Sequence, residues 1–144
     1  MFIRMDNSAI LNKLGFKPGV SVKEYMWGED VEGELRDAIC ECIGSDLLDE
    51  GSGDGADMSC VWWRDGNDEE ALSDCLLDAS SSIAPGRKIC VLTPKPGFEG
   101  AGSPGFVAEV ASKEGLNAST PVSVNSEWNA ICLYPFGHGA KRSS

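Results

Sequence analysis

The sequence predicts one α/β domain of three layers, a mainly parallel sheet between helices, finished by an antiparallel C-terminal strand pair. Three observations predict it. Strand-like and helix-like segments alternate through the middle of the chain, the pattern of parallel strands joined by crossover helices. KICVLTP, residues 88–94, is a nearly unbroken apolar run, as a strand covered on both faces requires. The segments 121–124 and 129–134 are separated by a tight turn only, so they are expected to pair with each other.

The elements follow in order. SAILNKL, 8–14, suits a short helix capped by Asn7 or Ser8 and stopped by Gly15. Pro18-Gly19 is a turn, and VSVKEYM, 20–26, alternates like a strand. Val31, Leu35, Ala38, Ile39 and Cys42 recur at helical spacing, with Asp30 as cap and Gly44 as stop, which predicts a helix over 31–43. SDLLDE has room for a short strand, and GSGDGA is loop by composition. DMSCVWW, 57–63, is a buried strand. A second helix follows, capped by Asn67 with Glu70 three residues on, and its apolar face is Leu72, Cys75, Leu76, Ala79 and Ile83. Pro85-Gly86 ends it before the strand 88–94. After a Gly/Pro-rich loop, 106–116 reads as a helix with Phe106, Val107, Val110 and Ala111 inward, and the strand pair closes the domain. Residues 1–7 and the tail 136–144 are expected to be flexible, leaving 8–135 as the one domain.

Composition fits this reading and excludes several functions. At 144 residues, with 42% apolar and 24% charged residues, the chain can bury a core without metals or disulfides. Its net charge of −11 repels phosphate backbones, so nucleic acid is not an expected partner. No apolar run approaches the ~20 residues of a membrane span, and no secretory signal is visible, so no membrane role and a cytoplasmic location are expected. The six cysteines then read as reduced thiols. Cys60, Cys90 and Cys132 lie in apolar strand-like runs, and Cys42 and Cys75 lie on apolar helix faces. Cys40 and Cys42 are two apart on a helix and point away from each other; with His138 as the single histidine, no metal site is expected.

LLDEGSGDGAD, 47–57, raises a sharper question. An apolar pair, an acid and glycines at 51, 53 and 55 resemble the first motif of S-adenosylmethionine-dependent methyltransferases. Such a loop follows a strand and leads straight into a helix, whose first turn presents backbone N–H groups to the cofactor. Here Ala56-Asp57 leads into another strand-like run, with no room for a helix before Trp62. The segment therefore reads as an acidic surface loop, and no cofactor is expected.

Two further resemblances concern more of the chain. ADMSCVWW, a helix, and IAPGRKICVLTP are similar to the C-terminal half of Rossmann-like methyltransferases, over roughly 56–134. LGFKPG at 14–19, EDVEGELRDAI at 29–39, VWWRDG at 61–66 and VLTPKPG at 91–97 resemble an actinobacterial family of small proteins of unknown function. That family combines LGxKPG, WWR and LTPK segments. The resemblance implies a Rossmann-like domain and no established activity.

In open α/β sheets ligands sit beyond the C-terminal strand ends. Those ends should carry Trp63, Arg64, Thr93 and Lys95, the candidate ligand-binding residues. Two cations beside a tryptophan suit a carboxylate, a phosphate or a nucleotide. The competing reading gives Arg64 to neighbouring acids and sends Trp62 and Trp63 to opposite faces of the sheet as core. No serine elbow, triad or split carboxylate pair is present, so no catalytic residues are assigned. The expected function is a non-catalytic regulatory or protein-binding module, with an acidic face at 29–37 and 65–70 as its contact or solubility surface. The alternative is an enzyme or sensor that binds a small anionic or nucleotide-like ligand at a degenerate methyltransferase-like site.

Overall fold

The structure, a computed structural model, describes residues 8–28, 33–49, 56–64, 66, 68–81, 88–98, 100–101 and 105–135. One sheet carries the molecule: β1 (Val22–Tyr25), β2 (Met58–Trp62), β3 (Ile89–Pro94), β4 (Leu116–Ala118), β5 (Val122–Ser123) and β6 (Trp128–Pro135). Four helices cover it: α1 (Ser8–Leu14), α2 (Gly33–Ile43), α3 (Glu69–Ser81) and α4 (Phe106–Lys113). The strand order is β1-β2-β3-β6-β4, with β5 also paired to β6. β1, β2 and β3 run parallel. β6 is antiparallel to β3, β4 and β5.

Alternation divides the core into two layers. Leu11, Phe16, Leu35, Ile39, Trp62 and Leu92 fill the layer beneath α1 and α2. Trp63, Leu72, Leu76, Val91, Val110 and Leu133 fill the layer beneath α3 and α4. Trp62 and Trp63 are both fully buried, on opposite faces of the sheet. At ~25 cal/mol per Å² a buried ring of ~200 Å² stabilises by about 5 kcal/mol, so these neighbouring residues anchor both layers.

The helices follow their predicted faces. Leu72, Cys75, Leu76 and Ala79 of α3 are buried, as are Val107, Val110 and Ala111 of α4. At the start of α3 the Asp68 carboxylate accepts the Ala71 N–H at 3.1 Å. Asn67, Asp30, Val31, Ile83 and both chain ends, 1–7 and 136–144, lie outside the described residues.

Two boundaries are corrected. The helix predicted over 106–116 stops at Lys113, because Gly115 takes a φ of 81° that a helix cannot continue through. Leu116–Ala118 then forms β4, so three strands rather than two lie on the antiparallel side. The strand expected over 121–124 shrinks to Val122–Ser123, both exposed, and Trp128 joins β6.

The connection from β1 to β2 makes one extra pass beside the sheet. α2 and α3 lie on opposite faces, yet β1→β2 and β2→β3 step the same way along the sheet. Helical crossovers of one hand cannot do both. After α2 the chain first returns beside the outer edge of β1, where Leu48 bridges Lys23 in parallel. The crossover β1–α2–Leu48 then has the same hand as β2–α3–β3. Residues 51–55 lie outside the described residues, but their described flanks are fixed. Leu48 donates to Val22 O at 2.8 Å, and Asp57 binds Ser21 just before β1, accepting its N–H at 3.1 Å and donating to its Oγ at 3.0 Å. The two flanks lie at different edges: Leu48 runs parallel to β1, towards the C-terminal strand ends, and Asp57 sits at the start of β2.

Candidate functional site

The C-terminal ends of β1, β2 and β3 meet the start of β6 at one edge. The turn after β1 carries Met26 and Trp27. Met26 has a φ of 63°, a left-handed conformation that is uncommon for a residue with a side chain. Cofactor-binding Rossmann folds use glycines in this first strand-to-helix turn so that the ligand can approach the backbone. Here Met26 and Trp27 precede Gly28 in that turn.

Arg64 closes the gap between the first two strands. Its Nη1 donates to Met26 O at 2.6 Å and to Trp62 O at 2.8 Å, tying the end of β1 to the end of β2. The loop after β3 locks over it. Gly66 N–H donates to Gly100 O at 3.1 Å. Gly100, with a φ of +88°, lies so close that a Cβ there would be 2.6 Å from Arg64 O. Lys95 follows β3 half-buried, and its N–H donates to Glu127 O at 2.8 Å.

The four candidate residues thus share one edge but not one surface. Trp63 is fully buried, stacked on Phe106 at 6.2 Å, and its indole N–H goes to Gly66 O at 3.0 Å. Thr93 is buried opposite Asn129 of β6. Arg64 and Lys95 are partly exposed, and Arg64 Nη1 holds two backbone carbonyls. The exposed aromatics of this edge are Trp27, 50% accessible, and Phe98, 44% accessible.

A charged cluster behind the edge escaped the sequence reading. Glu24, 5% exposed in β1, accepts from Arg36 of α2 through Nε at 3.0 Å and through Nη2, and from the Trp62 indole N–H at 3.0 Å. The hydrogen bond to Glu24 raises the Arg36 pKa above its ordinary value. The Arg36 guanidinium also lies over the Trp27 ring, 5.5 Å from its centre. The signal was present in the sequence: Glu24 continues the inward alternation of Val20 and Val22, and Arg36 is the one base of an acidic helix. Among the described residues no group of three or more metal-ligating side chains could hold an ion. No helix there is long and apolar enough to cross a membrane.

A family described as protein of unknown function (DUF3052) matches residues 11–136. The chain belongs to this family. Among similar DUF3052 relatives are uncharacterised proteins of Mycobacterium tuberculosis and Mycobacterium bovis, each 37% identical over 131 residues, which is 90% of this chain and 81% of theirs. The DUF3052 fold is also similar to solved structures. An S-adenosylmethionine-dependent methyltransferase from Aquifex aeolicus superposes with a TM-score of 0.59 at 15% identity, over 90% of this chain and 89% of that one. The mitomycin 7-O-methyltransferase MmcR gives 0.66 at 12% identity, and the pyocyanin biosynthetic protein PhzM gives 0.67 at 15%; each match covers 90% of this chain. The DUF3052 chain spans about half the length of these two, 53% and 54%. At such identities the likeness establishes the Rossmann-like methyltransferase fold alone.

Proposed function

We infer that this DUF3052 protein is a non-catalytic, cytoplasmic binding module that works through contact with a protein partner. The observation that carries this reading is Arg64. Its guanidinium spans the Met26 and Trp62 carbonyls, filling with protein the place between strand ends that a Rossmann-like enzyme leaves for its ligand. What the edge offers outward is Trp27 and Phe98, flanked by acids at the starts of the helices on both faces: Glu34 and Asp37 of α2, and Asp68, Glu69 and Glu70. Exposed aromatics amid charge are the usual anchors of a protein interface. Co-purification from native cells with mass spectrometry should return a partner that Trp27→Ala with Phe98→Ala releases. A partner unaffected by that double change removes the edge from the reading.

A second reading is favoured by the likeness to methyltransferases. An enzyme or sensor would take a small anionic or nucleotide-like ligand at the same edge, with Arg64 and Lys95 as its cations and Trp63 and Thr93 supporting them. Phosphate, nucleotides and S-adenosylmethionine should then raise the melting temperature. Arg64→Ala with Lys95→Ala should abolish the rise. If none of these compounds stabilises the protein, the second reading falls and the binding module stands.

A further inference from the structure

Three cysteines form a row across the middle of the sheet. Cys60 of β2 stands opposite Cys90 of β3, and Cys90 stands opposite Cys132 of β6. All three belong to the core layer beneath α1 and α2. All are free thiols.

The backbone sets the spacing of Cys90 and Cys132. The Cys132 N–H donates to Ser119 Oγ at 3.1 Å, and its carbonyl accepts from Ser119 N–H at 2.8 Å. Both groups therefore point towards the outer edge, away from β3. In an antiparallel ladder the N–H and C=O of one residue face the same side, so Cys90 and Cys132 form a non-hydrogen-bonded pair. Pro94, which has no N–H to give, occupies the same class of position opposite Trp128. Such pairs hold their Cα atoms about 4.5 Å apart, with side chains at closest approach. A disulfide accepts Cα separations of about 4.4–6.8 Å. The two thiols already share a hydrogen bond.

We propose that Cys90 and Cys132 are a reversible oxidation site that closes to a cross-strand disulfide when the protein meets a hydroperoxide. The Cys132 sulfur attacks the peroxide O–O bond, which breaks. Cys132 becomes a sulfenic acid, and the leaving oxygen takes a proton to depart as an alcohol or water. The Cys90 sulfur then attacks the sulfenic sulfur. The S–O bond breaks, and the hydroxide leaves as water with the Cys90 proton. The two thiols have lost two electrons to the peroxide, and a small dithiol restores them by exchange.

The surroundings assign these roles. The hydrogen bond with Cys90 brings the Cys132 pKa down to about 7 against the effect of burial, with help from the positive Lys88 and from Tyr134. Cys90 is pushed well up by the same hydrogen bond and by burial. Cys132 therefore supplies the thiolate and Cys90 the resolving thiol. Cys60, raised by burial and by the charge of Glu24, stays protonated. Lys88 and Tyr134 lie two residues along the strands from Cys90 and Cys132, the Lys88 ammonium 5.9 Å from the Tyr134 ring centre, and Tyr134 is exposed. The Cys132 thiol also points at Leu14 O, 4.0 Å away at the end of α1, a contact that oxidation removes.

The test uses the reduced full-length protein, treated natively with hydrogen peroxide and then denatured and alkylated. Two of the six thiols should be lost. Non-reducing peptide mapping should join Cys90 to Cys132, and dithiothreitol should return both. Cys60→Ala should form the same bond. The wild-type map decides the matter even if a Cys132 variant fails to fold. Full retention of thiols, loss to sulfinic or sulfonic acid without a bond, or a bond joining any other pair overturns the proposal.

Discussion

The guanidinium of Arg36 grips the carboxylate of Glu24 through Nε and Nη2, while the Trp62 indole donates to the same carboxylate. The pair is lopsided: the Glu24 side chain is 6% exposed and that of Arg36 is 32%. Removing the arginine strands a charge in the core, whereas removing the carboxylate leaves a cation that can reach water. Breaking a fully buried pair costs about 3–5 kcal/mol, and partial exposure reduces this. Arg36→Met should therefore destabilise by about 3 kcal/mol. Glu24→Gln, which can still accept from Trp62, should cost about 1 kcal/mol. Urea denaturation of both variants checks the order, and equal losses would show that packing rather than charge sets the cost.

Gly100 and Gly97 supply a matched test of the lock over Arg64. Both have positive φ, +88° and +97°. A Cβ on Gly97 meets nothing within 4 Å, whereas one on Gly100 meets Arg64 O at 2.6 Å. Gly97→Ala should cost the conformational penalty alone, about 1 kcal/mol. Gly100→Ala must also push the loop off Arg64, so its loss should be at least twice as large. A similar midpoint for the two variants would mean that the loop yields freely and the edge is not locked.

S-adenosylmethionine is expected not to bind. The turn after β1 places Met26 and Trp27 ahead of Gly28, and Arg64 spans the strand ends. Isothermal titration calorimetry at high micromolar ligand should show no heat of binding. Binding that disappears in Gly53→Val would reinstate 51–55 as a cofactor loop.

Much of the fold was legible because its signals are local. The apolar run of β3 and the helical spacing of α3 required no knowledge of partners. β4 was missed because Leu116–Ala118 is three residues long and adjoins a helix, so only pairing with β6 defines it as a strand. The site was less legible for the same reason. Trp63 and Arg64 lie at the strand end where the sequence puts them, but alternation sends Trp63 into the core, and Arg64 Nη1 holds carbonyls, which every residue has. Glu24 and Arg36, twelve residues apart, become a pair only once α2 lies over β1.

The paired thiols make the stability depend on pH in two opposite ways. The first proton of the Cys90–Cys132 pair leaves near pH 7 in the folded protein, against an ordinary thiol value near 9, because Cys90 donates to the thiolate on Cys132. Between those values the unfolded chain binds more protons than the native one, so stability must rise with pH. Each unit of difference is worth about 1.4 kcal/mol, which sets the rise at about 2 kcal/mol from pH 7 to pH 9. Below pH 7 this contribution is lost. Above pH 9 the sign reverses. Cys60 and Cys90 keep their protons in the fold, Cys60 because burial and the charge of Glu24 push it well above the ordinary value, Cys90 because its hydrogen bond with Cys132 and burial do so, while the unfolded chain releases them. The native protein then binds more protons, and stability must fall. Chemical denaturation of the reduced protein across this range should give a maximum near pH 9. In Cys132→Ala the rise between pH 7 and 9 should vanish, while the fall above pH 9 remains through Cys60. A wild-type curve that is flat from pH 7 to 9 would show that the pair holds both protons, and would remove the thiolate on which attack at a peroxide depends.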